Sequence, residues 1–302
     1  MKNKGKKKRE ALGAVPFMLP SFLGMIVFSL LPIVVSIIMS FTDWDGLEKL
    51  NLNTLVSHFV GLDNYAQILG GKEFWAVLGH TCYYIVLYIP LVFIASLAIA
   101  TLLNKARRGV SVFRVMYYIP VLTSWVAASL IWKWVLSPQY GILNQLLAVI
   151  GITGPNWLTS EVWAMPAIVL ASVWKDMGFF GLFLLSGLQS IDKTFYEAAK
   201  VDGAGRIRTF FQITIPLLTP SIFFCLVMAL INAFQLFPQV MIMTEGGPNG
   251  ATQVMVERIY TYGFSYFRMG YAAAFSWLLF IIIFALTSVQ LKLQKGWVHY
   301  ES

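Results

Sequence analysis

Two charged residues, Lys175 and Asp176, lie next to each other in the middle of a long apolar stretch. A lone lysine or aspartate at the centre of a membrane helix costs roughly 2.5–3.5 kcal/mol of insertion free energy. Adjacent residues point about 100° apart on a helix, so the two side chains pair poorly with each other. Each is therefore predicted to face a wet cavity or a partner group, which makes both candidates for a polar pathway.

Asn232 and Gln235 are the next candidates, because they lie about one helical turn apart in another apolar stretch. The alternative for this pair is hydrogen bonding between helices, which membrane bundles use routinely. Lys133 stands between two tryptophans near the end of a third apolar stretch, and snorkelling of its ammonium group to the membrane surface accounts for it.

The sequence shows no set of residues that could catalyse a reaction or hold a metal ion. His58, His80 and His299 are scattered, without acids or nucleophiles around them. No G-x-x-x-x-G-K-[ST] loop for a nucleotide phosphate is present. Cys82 and Cys225 are far apart within apolar stretches and are predicted to be small buried residues. We therefore expect no enzymatic activity, no cofactor and no metal in this chain.

The composition indicates that these residues sit in a membrane protein. The 302-residue chain is 58% hydrophobic, its mean hydropathy is +0.71, and only 12% of its residues are charged, whereas soluble domains carry about 25%. A bilayer core of about 30 Å requires about 20 helical residues. Six apolar runs have that length, which predicts an all-α protein with six transmembrane helices. They are residues 14–41, 77–103, 113–136, 163–189, 216–239 and 271–292.

The placement of charge predicts the orientation of these spans. Six of the 22 Lys and Arg residues lie within the first ten positions, whereas the connections 42–76, 137–162 and 240–270 hold only four of them and eight of the 14 acids. This positive-inside pattern puts both termini, 104–112 and 190–215 in the cytoplasm. It also argues that the +8 net charge serves topology and not nucleic-acid binding.

Three parts of the chain follow from this topology: a basic N-terminus (1–13), a membrane domain (14–293) and a cytoplasmic tail (294–302). A cleaved secretory signal is the alternative for the first span. Its apolar run is longer than a signal core and lacks an A-x-A-like end, so an uncleaved span is favoured.

The cytoplasmic segment from residue 190 to 215, the 190–215 loop, is predicted to contain two short helices. Thr194 and Glu197 fit a capping box at the start of the first. Gly203 is placed to end it, because glycine accepts the left-handed backbone of helix ends. The second helix begins near Gly205, and Pro216 is predicted to end it by disfavouring helical geometry at the residue before it.

An apolar face is predicted on the second helix at i, i+3, i+4 and i+7, formed by Ile207, Phe210, Phe211 and Thr214. Two interpretations of this face stay open. It packs under its own helix bundle, or it docks onto a partner protein.

The stretch "EAAKVDGAGRIRTFFQITIP" resembles the EAA signature of permease subunits in binding-protein-dependent ABC importers. Matching positions are Glu197, Ala198, Ala199, Asp202, Gly203, Ala204, Phe210, Ile213 and Pro216, whereas Gly205 and Ile207 depart from the usual residues. Segments such as "FVGLDNY", "RVMYYIP" and "MTEGGPNGAT" are similar to the carbohydrate branch, in particular to the first permease of maltose-type and multiple-sugar systems. The resemblance covers the chain from about residue 15.

This resemblance implies a type I ABC importer fold in a bacterial cell membrane and a role in importing a sugar. It implies a second permease subunit, two ATPase subunits that bind ATP and Mg, and an extracellular or periplasmic solute-binding protein. The loop would couple to the ATPase through one set of residues: Glu197, Ala198, Ala199, Asp202, Gly203, Ala204, Ile207, Phe210 and Phe211.

The resemblance also implies that the fourth span lines the sugar site, at Ser172, Lys175, Asp176 and Phe179 around Trp174. Phe179 would stack on a sugar ring. A secondary carrier would not need a docking loop, and a membrane enzyme would need a clustered acid, base or metal set. An importer of a non-sugar such as glycerol phosphate or a polyamine remains the main alternative.

Overall fold

The computed structural model describes residues 17–49, 51–105 and 110–298. The predicted N-terminus 1–13, the first residues of the first predicted span and the end of the predicted tail lie outside these residues. The described residues form helices, apart from loops and one isolated β-bridge between Thr42 and Phe59. The helices are α1 Phe17–Met39, α2 Leu52–Ser57, α3 Asp63–Gly70, α4 Lys72–Lys105, α5 Val110–Leu122, α6 Trp125–Val135, α7 Ile142–Val149, α8 Ala164–Ser190, α9 Lys193–Val201, α10 Arg206–Leu217, α11 Thr219–Phe234, α12 Pro238–Met243, α13 Met255–Tyr260 and α14 Met269–Leu293.

Four of the described helices, α1, α4, α8 and α14, are individually long and apolar enough to cross a membrane. Two further candidates are bent pairs: α5 with α6, at 110°, and α10 with α11, at 66°. The predicted spans 113–136 and 216–239 therefore differ from the structure, which breaks the first near its middle and ends the second at Phe234.

Local sequence explains where the third span breaks. Pro120 lies inside α5 and lacks the N–H that a continuous helix needs, which weakens the helix over its last turn. Ser124 then starts α6 as an N-cap, because its side chain accepts a hydrogen bond of 3.2 Å from the Ala127 amide. Hydropathy alone does not register such a break, because both halves are apolar.

The chain divides into two compact units, one of which contains residues up to Gly70 together with Ile259–Leu278. In this unit the Asn64 amide donates to the carbonyl oxygens of Ser40 (3.1 Å) and Thr42 (2.7 Å). These bonds tie α3 to the end of α1. Over Ile26–Met39, α1 has no buried residue, as an apolar helix surrounded by lipid would.

The second unit comprises Gly71–Arg258 and Leu279–Ser302, and its core forms where α4 packs along α8. The Ser96 hydroxyl on α4 donates to the Met177 carbonyl on α8 at 3.2 Å. A glycine at position 178 lets α5 approach α8 closely, since an added Cβ would lie 2.5 Å from the Tyr117 carbonyl oxygen. This packing fixes the side chains of α8 against both neighbours. Core residues shared by the two long helices include Tyr84, Tyr88, Val92, Ile168, Phe180 and Leu184.

Candidate functional site

A polar cavity of about 330 Å³ opens beside the middle of α8. Three of the predicted pathway residues, Asp176, Asn232 and Gln235, line this polar cavity together. The walls come from four separate parts of the chain: α4, the start of α6, α8 and the stretch from the end of α11 to the start of α12. The remaining lining residues are Tyr84, Tyr88, Trp125, Ala233, Leu236, Pro238 and Gln239.

Asp176 is held by a tyrosine pair on α4. The Tyr88 hydroxyl donates to Asp176 Oδ2 at 2.7 Å, and the Tyr84 and Tyr88 rings stack with centroids 5.2 Å apart. Both tyrosines are nearly fully buried. Because Tyr84 and Tyr88 lie one helical turn apart, the stacked pair fixes the direction in which the Tyr88 hydroxyl points.

Lys175 turns away from the polar cavity. Its ammonium group donates to the carbonyl oxygens of Pro120 (3.0 Å), Val121 (3.2 Å) and Thr123 (2.6 Å), where α5 ends. It also lies 5.1 Å from the centroid of the Trp125 ring. A helix C-terminus leaves carbonyl groups without internal partners, and a cation there satisfies them. Lys175 therefore caps the broken third span.

The other two predicted residues of α8 also lie outside the lining of the polar cavity. Ser172 is fully buried, and its hydroxyl donates to the Ile168 carbonyl at 2.9 Å, one turn back along the helix. Phe179 packs against the rings of Phe180 and Phe183, at centroid distances of 5.3 and 4.9 Å. A role for these two residues in a solute pathway remains a prediction.

The breaks in the helices supply the irregular backbone beside the polar cavity. Gln235 and Leu236 follow the end of α11 at Phe234, and the chain becomes helical again only at Pro238. Gln239, in the first turn of α12, is buried, and its Oε1 atom has no hydrogen-bond partner among the described residues. Non-helical backbone at membrane depth is tolerated only where protein or a water-filled cavity surrounds it.

Sequence reasoning missed seven of the lining residues, and four of these carry an aromatic ring or an amide: Tyr84, Tyr88, Trp125 and Gln239. The i, i+4 spacing of the two tyrosines is a signal for a shared helix face. Trp125 and Gln239 carry no comparable signal, because each lies just after a break between helices that the sequence does not reveal.

The 190–215 loop contains two helices, α9 and the start of α10, but its caps differ from the prediction. The predicted N-cap Thr194 is wrong: the cap is Asp192, whose carboxylate accepts a hydrogen bond of 2.9 Å from the Thr194 amide. This bond lowers the pKa of Asp192. Aspartate and threonine are both good N-caps, but the Asp192 carboxylate also carries a negative charge, which the N-terminus of a helix stabilises.

The turn between the two helices depends on one glycine. Gly203 has a φ of +71°, in the region that glycine adopts most readily, and no described atom would lie within 4 Å of an added Cβ. Its backbone angle, and not crowding, is what requires glycine. Gly205, two positions later, has an ordinary extended backbone (φ −69°, ψ 162°) and acts as the N-cap of α10.

The prediction that Pro216 ends the second helix is wrong. Thr214 and Ile215 are helical, and α10 continues to Leu217 before the bend. Proline is accommodated because Phe210–Thr214 forms a π-helical turn, in which the regular bonding pattern is already altered.

The same π-helical turn splits the predicted apolar face in two. Ile207 and Phe211 are 77% and 64% exposed, whereas Phe210 and Thr214 turn inward and line a cavity of about 450 Å³ beneath the loop. Tyr196 on α9 contacts Thr214 there, with 3.3 Å between the hydroxyl oxygens. The exposed pair Ile207 and Phe211 is thus the part of the face that is left for a partner.

The remaining predicted coupling residues lie on α9 and in the turn after it. Ala199 is buried, while Glu197, Ala198 and Asp202 are exposed and Ala204 is half-buried. All nine predicted coupling residues thus lie within α9, the turn after it and the first part of α10, and their role in coupling remains a prediction.

Comparison with known proteins identifies the family. Residues 66–297 match the family model described as "Binding-protein-dependent transport system inner membrane component". The chain belongs to this family. It is therefore a multi-pass membrane permease component, and the predicted resemblance of the chain to binding-protein-dependent importer permeases is confirmed.

Relatives of this permease align along most of its length. The trehalose/maltose transport system permease protein MalF of Thermococcus litoralis is 33% identical over 292 residues, which cover 96% of each chain. The sn-glycerol-3-phosphate transport system permease protein UgpA of Yersinia pestis is 34% identical over 85% of this chain and 88% of its own.

A solved structure shows the fold of the permease. A chain from the crystal structure of a bacterial ABC transporter involved in the import of the acidic polysaccharide alginate superposes with a TM-score of 0.82. It is 22% identical, and the match covers 98% of this chain and 99% of the other. The predicted all-α, type I importer permease fold is thereby confirmed.

Proposed function

We propose that this chain is the membrane-spanning subunit of an ATP-driven importer that carries a sugar, such as an oligosaccharide, across the cytoplasmic membrane into the cell. The polar cavity carries this proposal. It combines a carboxylate, amide side chains and aromatic rings at the middle of the membrane domain, which is the combination that binds a hydroxyl-rich, ring-shaped solute.

Broken helices support a solute path at this place. In transporters, solute sites form near the bilayer midplane where discontinuous helices leave backbone groups free to coordinate the cargo. Here both the start of α6 and the segment between α11 and α12 meet the polar cavity. A change in the backbone at either of these two breaks would open or close one side of the polar cavity.

The motor is proposed to act on the 190–215 loop. Ile207 and Phe211 are large apolar side chains on its exposed surface, where an ATPase subunit would cover them. Two such subunits would bind ATP and Mg, and their closure would move the loop and switch the cavity between outward and inward access. A second permease chain and a solute-binding protein outside the cell complete the proposed assembly, in a bilayer and without nucleic acid.

The proposed orientation places both termini and the 190–215 loop in the cytoplasm. Basic residues concentrate on that side in the sequence. In this orientation Lys133, which donates to the Ile242 carbonyl at 3.3 Å, belongs to the outer half of the third span.

A sugar is favoured over glycerol phosphate as the cargo. Sequence identity does not decide between them, because the trehalose/maltose and the glycerol-3-phosphate permeases are similarly identical to this chain. A phosphate group would be held by arginine or lysine side chains. Among the described residues, none that lines the polar cavity is Arg or Lys.

Purification of the tagged chain from its own membranes, followed by reconstitution into vesicles, tests this function. We expect an ATP-hydrolysing subunit and a second permease to co-purify. With the cognate binding protein added outside the vesicles, ATP enclosed in their lumen should drive uptake of labelled maltose, trehalose or a longer oligosaccharide. Accumulation of glycerol phosphate without any sugar, or recovery of a chain that binds no ATPase, would contradict the proposal.

A further inference from the structure

We infer that the polar cavity presents the negative charge of Asp176 to the solute, so that it admits uncharged or amino-bearing solutes and excludes anionic ones. This inference rests on the proposed function and narrows its substrate class. It follows from the way in which the structure separates two neighbouring charged residues.

The cation beside Asp176 is committed elsewhere. Lys175 is 6% exposed, and its ammonium group contacts three carbonyl oxygens at the end of α5. The ion pairs among the described residues do not include one between Lys175 and Asp176. Since a helix C-terminus carries about half a negative elementary charge, part of the ammonium charge is offset where it sits.

The other described polar groups that line the cavity around Asp176 are uncharged. Asp176 Oδ2 accepts the Tyr88 hydroxyl, and among the described residues Oδ1 takes part in no hydrogen bond. The remaining polar lining groups, Asn232, Gln235 and Gln239, are neutral amides. The cavity therefore offers a carboxylate oxygen to a solute hydroxyl or ammonium group, and none of its described lining residues offers a cation to a solute anion.

The size of the effect follows from the surroundings. A cleft of one sign with low-dielectric walls concentrates ions of the opposite sign by tenfold or more. A phosphate or uronate group entering this cavity would meet the carboxylate without a compensating lysine or arginine. Charge selection of this kind separates this chain from a carrier of acidic solutes that shares its fold.

The charge of the cavity can be measured without knowing the solute. Gln235 is exposed and lines the cavity. We would introduce Gln235→Cys into the complex, with Cys82 and Cys225 replaced by alanine, in lipid nanodiscs. Two methanethiosulfonate reagents of similar size, one carrying a trimethylammonium group and one a sulfonate, then react with the new thiol. The ratio of their rates, divided by the same ratio for a free thiol in solution, reports the local potential.

We expect a corrected ratio of about ten or more in favour of the cationic reagent. Asp176→Asn should bring the ratio to within twofold of one, while Asp176→Glu, which keeps the charge, should preserve the preference. A corrected ratio near one before any change at Asp176, or a preference that survives Asp176→Asn, would overturn the inference. Asn232→Cys gives a second reporter, and a lack of reaction at both positions would also overturn it.

Sugar uptake by the same preparation keeps the two proposals apart. Uptake by a complex whose cavity shows no preference for the cationic reagent would overturn the charge selection and leave the import function standing. A strong preference for the cationic reagent in a complex that transports no sugar would overturn the import function and leave the negative potential of the cavity standing.

Discussion

The 190–215 loop and the polar cavity differ in how far apart in sequence their parts lie. The loop is continuous, and its helix caps and its turn are set by Asp192, Gly203 and Gly205 within fourteen positions. The cavity gathers side chains from Tyr84 to Gln239, which lie on helices far apart in the sequence. A local motif tolerates the loss of distant contacts, whereas an assembled site changes whenever any one of its helices moves.

The sharpest test of local specification is Gly203→Val. Non-glycine residues in the left-handed region cost roughly 1–2 kcal/mol, and a β-branched side chain costs more, so the two-helix turn should not form. We expect uptake to be abolished while the amount of protein in the membrane stays normal. Gly205→Ser is the control, because its backbone is ordinary and serine is a good N-cap; normal transport by Gly203→Val would show that the turn is not needed.

The exposed side chains of the loop provide the next largest effect. Burying one large apolar side chain contributes about 1.5–3 kcal/mol, so changing Ile207 and Phe211 to serine should reduce co-purification of the ATPase by tenfold or more. Val149→Ser, at a similarly exposed position on α7, should leave it unchanged. A thiol at Phe211 should also cross-link to the ATPase groove. Repeated failure of well-placed cysteine pairs would argue that the loop packs only against its own bundle.

Asp176→Asn and Lys175→Met test the roles of the two neighbouring charged residues separately. Asp176→Asn keeps the shape of the side chain, so we expect near-normal complex yield with uptake per complex altered several-fold. Lys175→Met removes three contacts to carbonyl groups, each worth about 1 kcal/mol in a membrane, so yield should fall while uptake per surviving complex stays near normal. Yield and uptake measured on the same preparations decide this; unchanged uptake in Asp176→Asn would remove it from the pathway.

The smallest effect is expected at the N-cap of α9. Asp192→Ala removes the side chain that accepts from the Thr194 amide, and amide exchange in α9 should become about threefold to tenfold faster. Thr194→Ala should have little effect on exchange, because the hydrogen bond uses its backbone. The lowered pKa of Asp192 means that the cap is present above the ordinary carboxyl pKa of 3.8 and is lost only in more acidic solution. Equal effects of the two changes would restore Thr194 as the cap.

Sequence reasoning located the 190–215 loop well because its signals are local. Gly203 stands where a helix must end, and the matching EAA positions identify the family that the comparison then confirms. The cap was misplaced by two residues, since Asp192 and Thr194 both suit a helix start. The π-helical turn was missed, because nothing in the composition of Phe210–Thr214 distinguishes it from an α-helical turn.

The polar cavity was only partly predictable for a physical reason. A charge in an apolar run signals a partner, but it does not say whether that partner is water, a solute or backbone. For Asp176 the structure gives a tyrosine hydroxyl and an open cavity. For Lys175 it gives the end of a neighbouring helix. Whether such a charge meets a cavity or the end of a helix depends on the break between α5 and α6, which hydropathy does not reveal.

The cap formed by Lys175 on the end of α5 has a consequence for reading other membrane sequences. Pro120 weakens one span, and a lysine on the adjacent span supplies the donors that the weakened end lacks. A proline and a mid-span lysine on neighbouring helices would therefore be expected to vary together among relatives. Such paired variation would let a bent span be recognised from an alignment, at a position where a hydropathy profile shows a straight one.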